Sequence, residues 1–255
     1  MNWRNNFIAY FVGSVGSGKS YHATKEIVEV MRKGSHVYTN IPLDAVYMEK
    51  HGLTDRYNLL DDDDLGDMLK GEYQYENAPS PNSAEFTKWK PLPNGTRTTP
   101  NFIVLDELGT FLNARDWKKT DEQTREFFKW LKEVRHHNCR AILIEQHFDN
   151  MSAQIRRLSE HVVHHRSLDQ WQIWGITPIP APVTICHLVR HSKGKEKAIS
   201  TEYIFRGEYY PAYDSFGRGD PDSAYVHDAI EDNDAPPIPF ILSVVLVLIF
   251  TYVTI

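Results

Sequence analysis

Gly13-Ser14-Val15-Gly16-Ser17-Gly18-Lys19-Ser20 decides how the rest of the chain is read. It fits the pattern of glycine, four residues, glycine, lysine and a hydroxyl residue. Glycines let the backbone turn successive N–H groups inward as an anion nest. The helix that follows adds its positive end. Lys19 reaches the β- and γ-phosphates as a point charge, and Ser20 offers a hydroxyl to Mg²⁺. Such a loop needs a strand before it and a helix after it. Phe7–Val12 is an apolar run of strand length, and Ala23, Ile27 and Val30 share one face of a helix that Gly34 closes. Gly13, Ser14, Val15, Gly16, Ser17, Gly18, Lys19 and Ser20 are therefore expected to bind nucleotide, with ATP and Mg²⁺ as cofactors.

Outward from this loop, apolar strands alternate with helical stretches. Ser35–Ile41 is a strand stopped by Pro42, and Phe102–Leu105 is another, ending in Asp106-Glu107. Thr120-x-x-Gln123 is a capping-box pattern ahead of a helix with Phe127, Leu131 and Val134 on one face. Cys139–Glu145 and His161–His165 read as further strands, with a helical stretch over Met151–Leu158 between them. Asp61–Asp64 reads as a solvated helix N-terminus, where acids suit the dipole. Glu76–Asn101, rich in proline, is a long loop. Beyond Trp171 the pattern becomes strand-like at Gln170–Ile173, Val183–Val189 and Glu202–Phe205. This alternation implies an α/β fold with a mostly parallel sheet flanked by helices and a small β-rich C-terminal extension.

Three further features bear on chemistry. Asp106 ends a buried strand and is placed to hold Mg²⁺ through water, while Glu107 can act as general base on the attacking water. Gln146, at the end of the next strand, is expected to sense the γ-phosphate. The catalytic set is thus Lys19, Asp106, Glu107 and Gln146, with Ser20 and Asp106 at the metal. An arginine supplied across a subunit boundary is sought among Arg115, Arg135, Arg156 and Arg157. The adjacent glutamate favours hydrolysis over transfer to an acceptor. His136-His137 and His161-x-x-His164-His165 have no cysteine or carboxylate at a standard finger spacing, so a polar sheet or ring surface is expected there rather than zinc. Tyr209, Tyr210 and Tyr213 are assigned to packing of the C-terminal strands, and Cys139 to a small buried residue.

Composition bounds the rest. The chain has 255 residues, 41% of them hydrophobic and 24% charged, as in a globular protein. With 28 Lys and Arg against 34 Asp and Glu, the net charge is −6, which argues against indiscriminate phosphate-backbone binding. Two distant cysteines, Cys139 and Cys186, indicate no disulfide scaffold. The uncharged run FILSVVLVLIFTYVTI from Phe240 to Ile255, extended to Ile238, would span about 27 Å as a helix. A C-terminal transmembrane helix is expected there, with the larger N-terminal part left cytosolic. Its acidic flank (Asp228, Glu231, Asp232, Asp234) gives no positive-inside signal. The expected division is an ATPase core at 1–168, a β-rich part at 169–230, a linker at 231–237 and the membrane helix at 238–255.

These residues resemble the zonula occludens toxin-like (Zot) family, which includes the assembly ATPases of filamentous phages. The resemblance runs from about Phe7 to Asp214. It is carried by GSVGSGKS at Gly13–Ser20, VYTNIPL at Val37–Leu43 and IVLDELGTFLNAR at Ile103–Arg115. The long block FFKWLKEVRHHNCRAILIEQHFDNMSAQIRRLSEHVVHHR at Phe127–Arg166 is the most specific, and YYPAYDS at Tyr209–Ser215 closes it. The resemblance implies a RecA-like P-loop ATPase acting as a homo-oligomeric ring, taken as a hexamer, at the host inner membrane. It implies a single membrane span after a cytoplasmic ATPase domain. The implied task is virion assembly and extrusion, with phage coat and other assembly proteins, single-stranded DNA and inner-membrane lipid as partners. The toxin label belongs to the periplasmic part of some members and is not carried over. The same loop would also serve a translocase that packages a viral genome, or a membrane scaffold that binds ATP without significant turnover.

Overall fold

Alternation along the first strand, β1 (Ile8–Val12), sets the layers of the molecule. Ile8, Tyr10 and Val12 join one hydrophobic cluster, while Ala9 and Phe11 join another on the opposite face. All five residues are buried, as a central parallel strand covered on both sides requires. This computed structural model describes residues 7–84, 88–111, 124–151, 153–158, 161–167, 183–192 and 195–213. All of them fall within the unit Met1–Ser215.

One eight-stranded sheet organises these residues. The strands in chain order are β1, β2 (Val37–Thr39), β3 (Tyr57–Leu59), β4 (Asn101–Leu105), β5 (Cys139–Glu145), β6 (His161–Ser167), β7 (Val183–Ser192) and β8 (Lys195–Phe205). Their order across the sheet is β3-β2-β4-β5-β1-β6-β7-β8. Pairings from β3 through β6 are parallel, and β6–β7 and β7–β8 are antiparallel. The mostly parallel α/β expectation therefore holds. The β-rich C-terminal segment continues this sheet at one edge. β3 escaped the sequence reading because it is short and only half-buried, with no apolar run to mark it.

Helices cover the two faces. On one side α1 (Lys19–Arg32) buries Ala23, Ile27, Val28 and Met31 against Phe11, Val104 and Ile144. Val30 of the expected helix face is only half-buried. The chain leaves α1 through Gly34 at φ +94°, with the Ser35 N–H donating to the Val30 carbonyl. On the other side lie α3 (Asp62–Lys70) and α5 (Arg125–Glu133), which pack Leu65, Met68, Phe127, Trp130 and Leu131 on Tyr10, Ile103 and Leu143. Short helices α2 (Ala45–Lys50), α4 (Leu108–Phe111) and α6 (Ala153–Arg156) are the other α-helices among the described residues. Among the described residues of the expected Met151–Leu158 stretch, Ala153–Arg156 are helical. α5 opens after Thr124, whose side chain makes no cap bond; the expected box residues Thr120 and Gln123 lie outside the described residues.

The four-aspartate run behaves as a helix start. Asp61 accepts the Asp64 N–H at 2.8 Å, and the Asp64 carboxylate takes the Asp61 N–H at 3.3 Å. Residues 76–84 and 88–100 hold no helix or strand, in line with the expected loop. Tyr209 and Tyr210 pack on Tyr21 of α1, at ring separations of 6.4 and 5.0 Å. The Tyr21 hydroxyl accepts the N–H groups of Gly207 and Tyr209. Among the described residues no helix is long and apolar enough to cross a membrane. The expected strand Gln170–Ile173, the linker 231–237 and the expected span 238–255 lie outside the described residues.

Replacing Asp61 with Ala removes one reciprocal cap of α3. The expected loss is about 1 kcal/mol of unfolding free energy, read from urea denaturation beside the parent chain.

Candidate nucleotide site

Parallel strands point their C-terminal ends at one edge of the sheet, and four of them deliver polar residues there. β1 runs into the loop Gly13–Gly18, β2 into Asn40, β4 into Asp106, and β5 ends in Glu145 before Gln146. The loop is held by backbone bonds: the Gly13 N–H donates to the Gln146 carbonyl at 3.2 Å and the Ser17 N–H to the Ser14 carbonyl at 3.1 Å. Gly16 and Gly18 have φ of +75° and +89°, in the left-handed region. At Gly18 space matters too, since a Cβ there would press into the Thr184 side chain on β7. Val15 stands 72% exposed at the loop tip.

Lys19 opens α1 and is largely buried. Its ammonium donates to the carbonyls of Gly13 at 2.7 Å and Ser14 at 3.0 Å. Burial lowers its pKa, and the charges of Asp106, Glu145 and Glu107 oppose that shift. The cation is thus surrounded by three carboxylates and its own loop. Ser17 Oγ is buried in the same loop and, among the described residues, has no hydrogen-bond partner.

Asp106 meets the loop directly. Ser20 Oγ donates to Asp106 Oδ2 at 2.7 Å, and the Glu107 N–H donates to Asp106 Oδ1 at 2.8 Å. Asn40 clamps the aspartate's backbone at both ends: its Nδ2 donates to the Asp106 carbonyl at 2.9 Å and its Oδ1 accepts the Asp106 N–H at 2.8 Å. A hydroxyl and a carboxylate side by side are the hard oxygen donors that Mg²⁺ takes. Glu107 is exposed, and its backbone sits at φ +52°, uncommon for a residue with a side chain. That turn sends the chain from β4 into α4.

Glu145 was missed in the sequence. It is 6% exposed, and its carboxylate accepts the Gly109 N–H at 2.5 Å and the Gln146 N–H at 2.8 Å. A side chain at Gly109 would collide with it. It ties the start of α4, next to Glu107, to the end of β5. Asn40 was missed as well. The available signal in each case was a lone polar residue closing an apolar strand, as in VYTN and AILIE.

The other expected residues lie as follows. The Gln146 side chain is exposed, and it is the backbone of Gln146 that contacts the loop. Arg156 is paired with Asp149 at 2.6 Å and lies over the Phe148 ring. Arg135 and Arg157 are exposed, and Arg115 lies outside the described residues. Cys139 is buried, with its thiol pushed up to about 11 by burial. Of the pair expected on a polar surface, His137 is buried, whereas His136 is exposed. His165 is not: it is fully enclosed behind the loop, because β6 lies between β1 and β7 and its His165 side is covered by α1.

A family model described as zonular occludens toxin (Zot) matches residues 7–177. The Gene 1 protein of Enterobacteria phage I2-2 is 26% identical over 224 residues, covering 80% of this chain and 54% of that protein. The Gene 1 protein of Salmonella phage IKe is 25% identical over a like extent. The chain spans about half the length of these curated relatives. Among solved structures, the N-terminal domain of zonular occludens toxin from Neisseria meningitidis matches 81% of this chain and 98% of that chain, at 15% identity and a TM-score of 0.45.

Removing the clamp tests the site's construction. Asn40→Ala is expected to lower stability by about 1–3 kcal/mol and, by freeing Asp106, to weaken nucleotide binding about tenfold. Urea denaturation and titration with a fluorescent ATP analogue measure the two effects.

Proposed function

Because this chain belongs to the Zot family, we propose that it is a membrane-anchored ATPase that powers assembly and extrusion of filamentous phage virions through the bacterial inner membrane. One observation carries the ATPase reading: the contact of Ser20 Oγ with Asp106 Oδ2 joins the phosphate loop to the end of β4. The phage origin of the Gene 1 relatives supports the biological setting.

The residues fit Mg-ATP. Gly13–Ser20 would hold the phosphates through backbone N–H groups and Lys19, while Ser20 and Asp106 would hold Mg²⁺. Bound ATP supplies the phosphoanhydride bond whose hydrolysis releases the energy. Asp106 is fixed by Asn40 and bonded to Ser20. Glu107, presented at the turn after β4, takes a proton from water as general base. Glu145 acts through its neighbours as a positioning residue, holding the Gly109 N–H and hence the turn that carries Glu107. Gln146 is assigned to sensing the γ-phosphate. An arginine from a neighbouring subunit of a homo-oligomeric ring, a hexamer in our reading, completes the site. Residues 1–168 form the ATPase core and 169–230 its extension. The linker 231–237 leads to a single span at 238–255, with the ATPase in the cytoplasm and coat protein, other assembly proteins and single-stranded DNA as partners.

Steady-state ATP hydrolysis by the detergent-solubilised full chain tests this reading, beside Lys19→Ala and Glu107→Gln, with and without single- and double-stranded DNA. The expected result is turnover that falls at least about 10²-fold in both variants and is indifferent to DNA. Strong stimulation by double-stranded DNA would assign the chain to genome packaging instead. A wild type that binds nucleotide and shows no turnover would overturn the ATPase. Deleting 238–255 is expected to move the protein from the membrane pellet to the supernatant after ultracentrifugation.

A further inference from the structure

Behind the phosphate loop, three side chains from distant parts of the chain converge. His22 comes from α1, His165 from β6 and Cys186 from β7. All three are buried, and their ligand atoms lie within 4.8 Å of one another. His22 Nδ1 is 2.8 Å from His165 Nε2 and 3.6 Å from Cys186 Sγ. We propose that His22 Nδ1, His165 Nε2 and Cys186 Sγ form a zinc site that staples α1 to β6 and β7.

The outer nitrogens support this. His165 Nδ1 faces the carbonyl oxygens of Val12 at 3.3 Å and Val163 at 3.1 Å, which only accept, so it carries the ring proton. That tautomer leaves the Nε2 lone pair facing His22 Nδ1, with Cys186 Sγ within 4.8 Å. His22 Nε2 lies 3.5 Å from Glu26 Oε1, one turn along α1. A carboxylate behind one histidine and backbone carbonyls behind the other are the supports that fix metal-bound imidazoles. Phe11 stacks on the His22 ring at 4.6 Å and closes the apolar side.

Distances and donor chemistry agree on the ion. Zn–N of about 2.0–2.1 Å and Zn–S of about 2.3 Å set ligand atoms about 3.3–3.6 Å apart in a tetrahedron. The Cys186–His22 separation is already there, and the two ring nitrogens need to part by about half an ångström. One thiol and two imidazoles suit Zn²⁺ and not a hard cation such as Mg²⁺. On binding, Cys186 gives its proton to solvent and ligates as thiolate. The Cys186 thiolate then offsets part of the ion's charge. The zinc would brace the loop from beneath. Gly13 lies against His165, so that a Cβ there would stand 3.2 Å from the His165 Cβ, and Gly18 lies against Thr184, two residues before Cys186.

The test is metal content and cobalt substitution in the detergent-solubilised full chain. Elemental analysis is expected to find about one zinc per chain, and cobalt exchange to give a thiolate-to-cobalt charge-transfer band. Cys186→Ser should remove the band, and His165→Ala should reduce zinc about tenfold or more. His136→Ala and Lys19→Ala should keep both, and the latter separates this site from the nucleotide reading. If either ligand variant fails to fold, the band in the wild type still decides. A wild type without stoichiometric zinc and without the band would overturn the site, as would unchanged zinc in Cys186→Ser and His165→Ala.

Discussion

Parallel alignment is the constraint on which this structure depends. When β1, β2, β4 and β5 run the same way, their ends share one edge, and every residue just past a strand becomes a neighbour of the others. The loop after β1 meets Asp106 after β4 only because β5 spaces the two strands and fixes their heights. Its register pairs Leu105 with Leu143 and Val12 with Glu145. A one-residue shift in β5 would turn its side chains to the opposite face and carry Glu145 away from the Gly109 N–H. The apolar alternation of β1, β4 and β5 is therefore part of the site, since it is what forbids such a shift.

Much of this was legible locally. The phosphate loop, β1, α1 and the Asp106-Glu107 strand end are each encoded in a dozen or so adjacent residues, and each appears where the pattern puts it. The cap on α3 was legible for the same reason. Asn40, Glu145 and the His22–His165–Cys186 cluster were not. Asn40 and Asp106 are 66 residues apart, and His22 and His165 are 143 apart. No spacing rule reaches across crossovers whose lengths are set by loops. His165 shows the failure most clearly. On its strand it reads as one of several alternating histidines, and only the placement of β6 between β1 and β7 encloses it.

The site also divides labour between backbone and side chains in a way residue types alone did not convey. Gln146 serves the loop through its carbonyl, which accepts the Gly13 N–H, while its own N–H donates to the Glu145 carboxylate and its side-chain amide is left in solvent. Glu145, by contrast, works entirely through its carboxylate, which replaces water for two backbone N–H groups that the turn would otherwise strand. Asn40 does the same for both backbone groups of Asp106. Two polar side chains, Glu145 and Asn40, therefore satisfy the places where parallel strands stop and lose their ladder partners.

Lys19 has a resting partner, and this changes what ligand capture means. Its ammonium is already satisfied by two carbonyls of the loop it belongs to. An arriving anion does not meet a bare charge in a vacant nest. It must outcompete an internal surrogate, so capture is an exchange whose net gain is the difference between a phosphate oxygen and a peptide oxygen as acceptor. Weak or singly charged anions gain little from that trade, while a polyphosphate, with charge enough to displace both carbonyls at once, gains much. The closed lysine thus favours anions of high charge density over weakly charged ones.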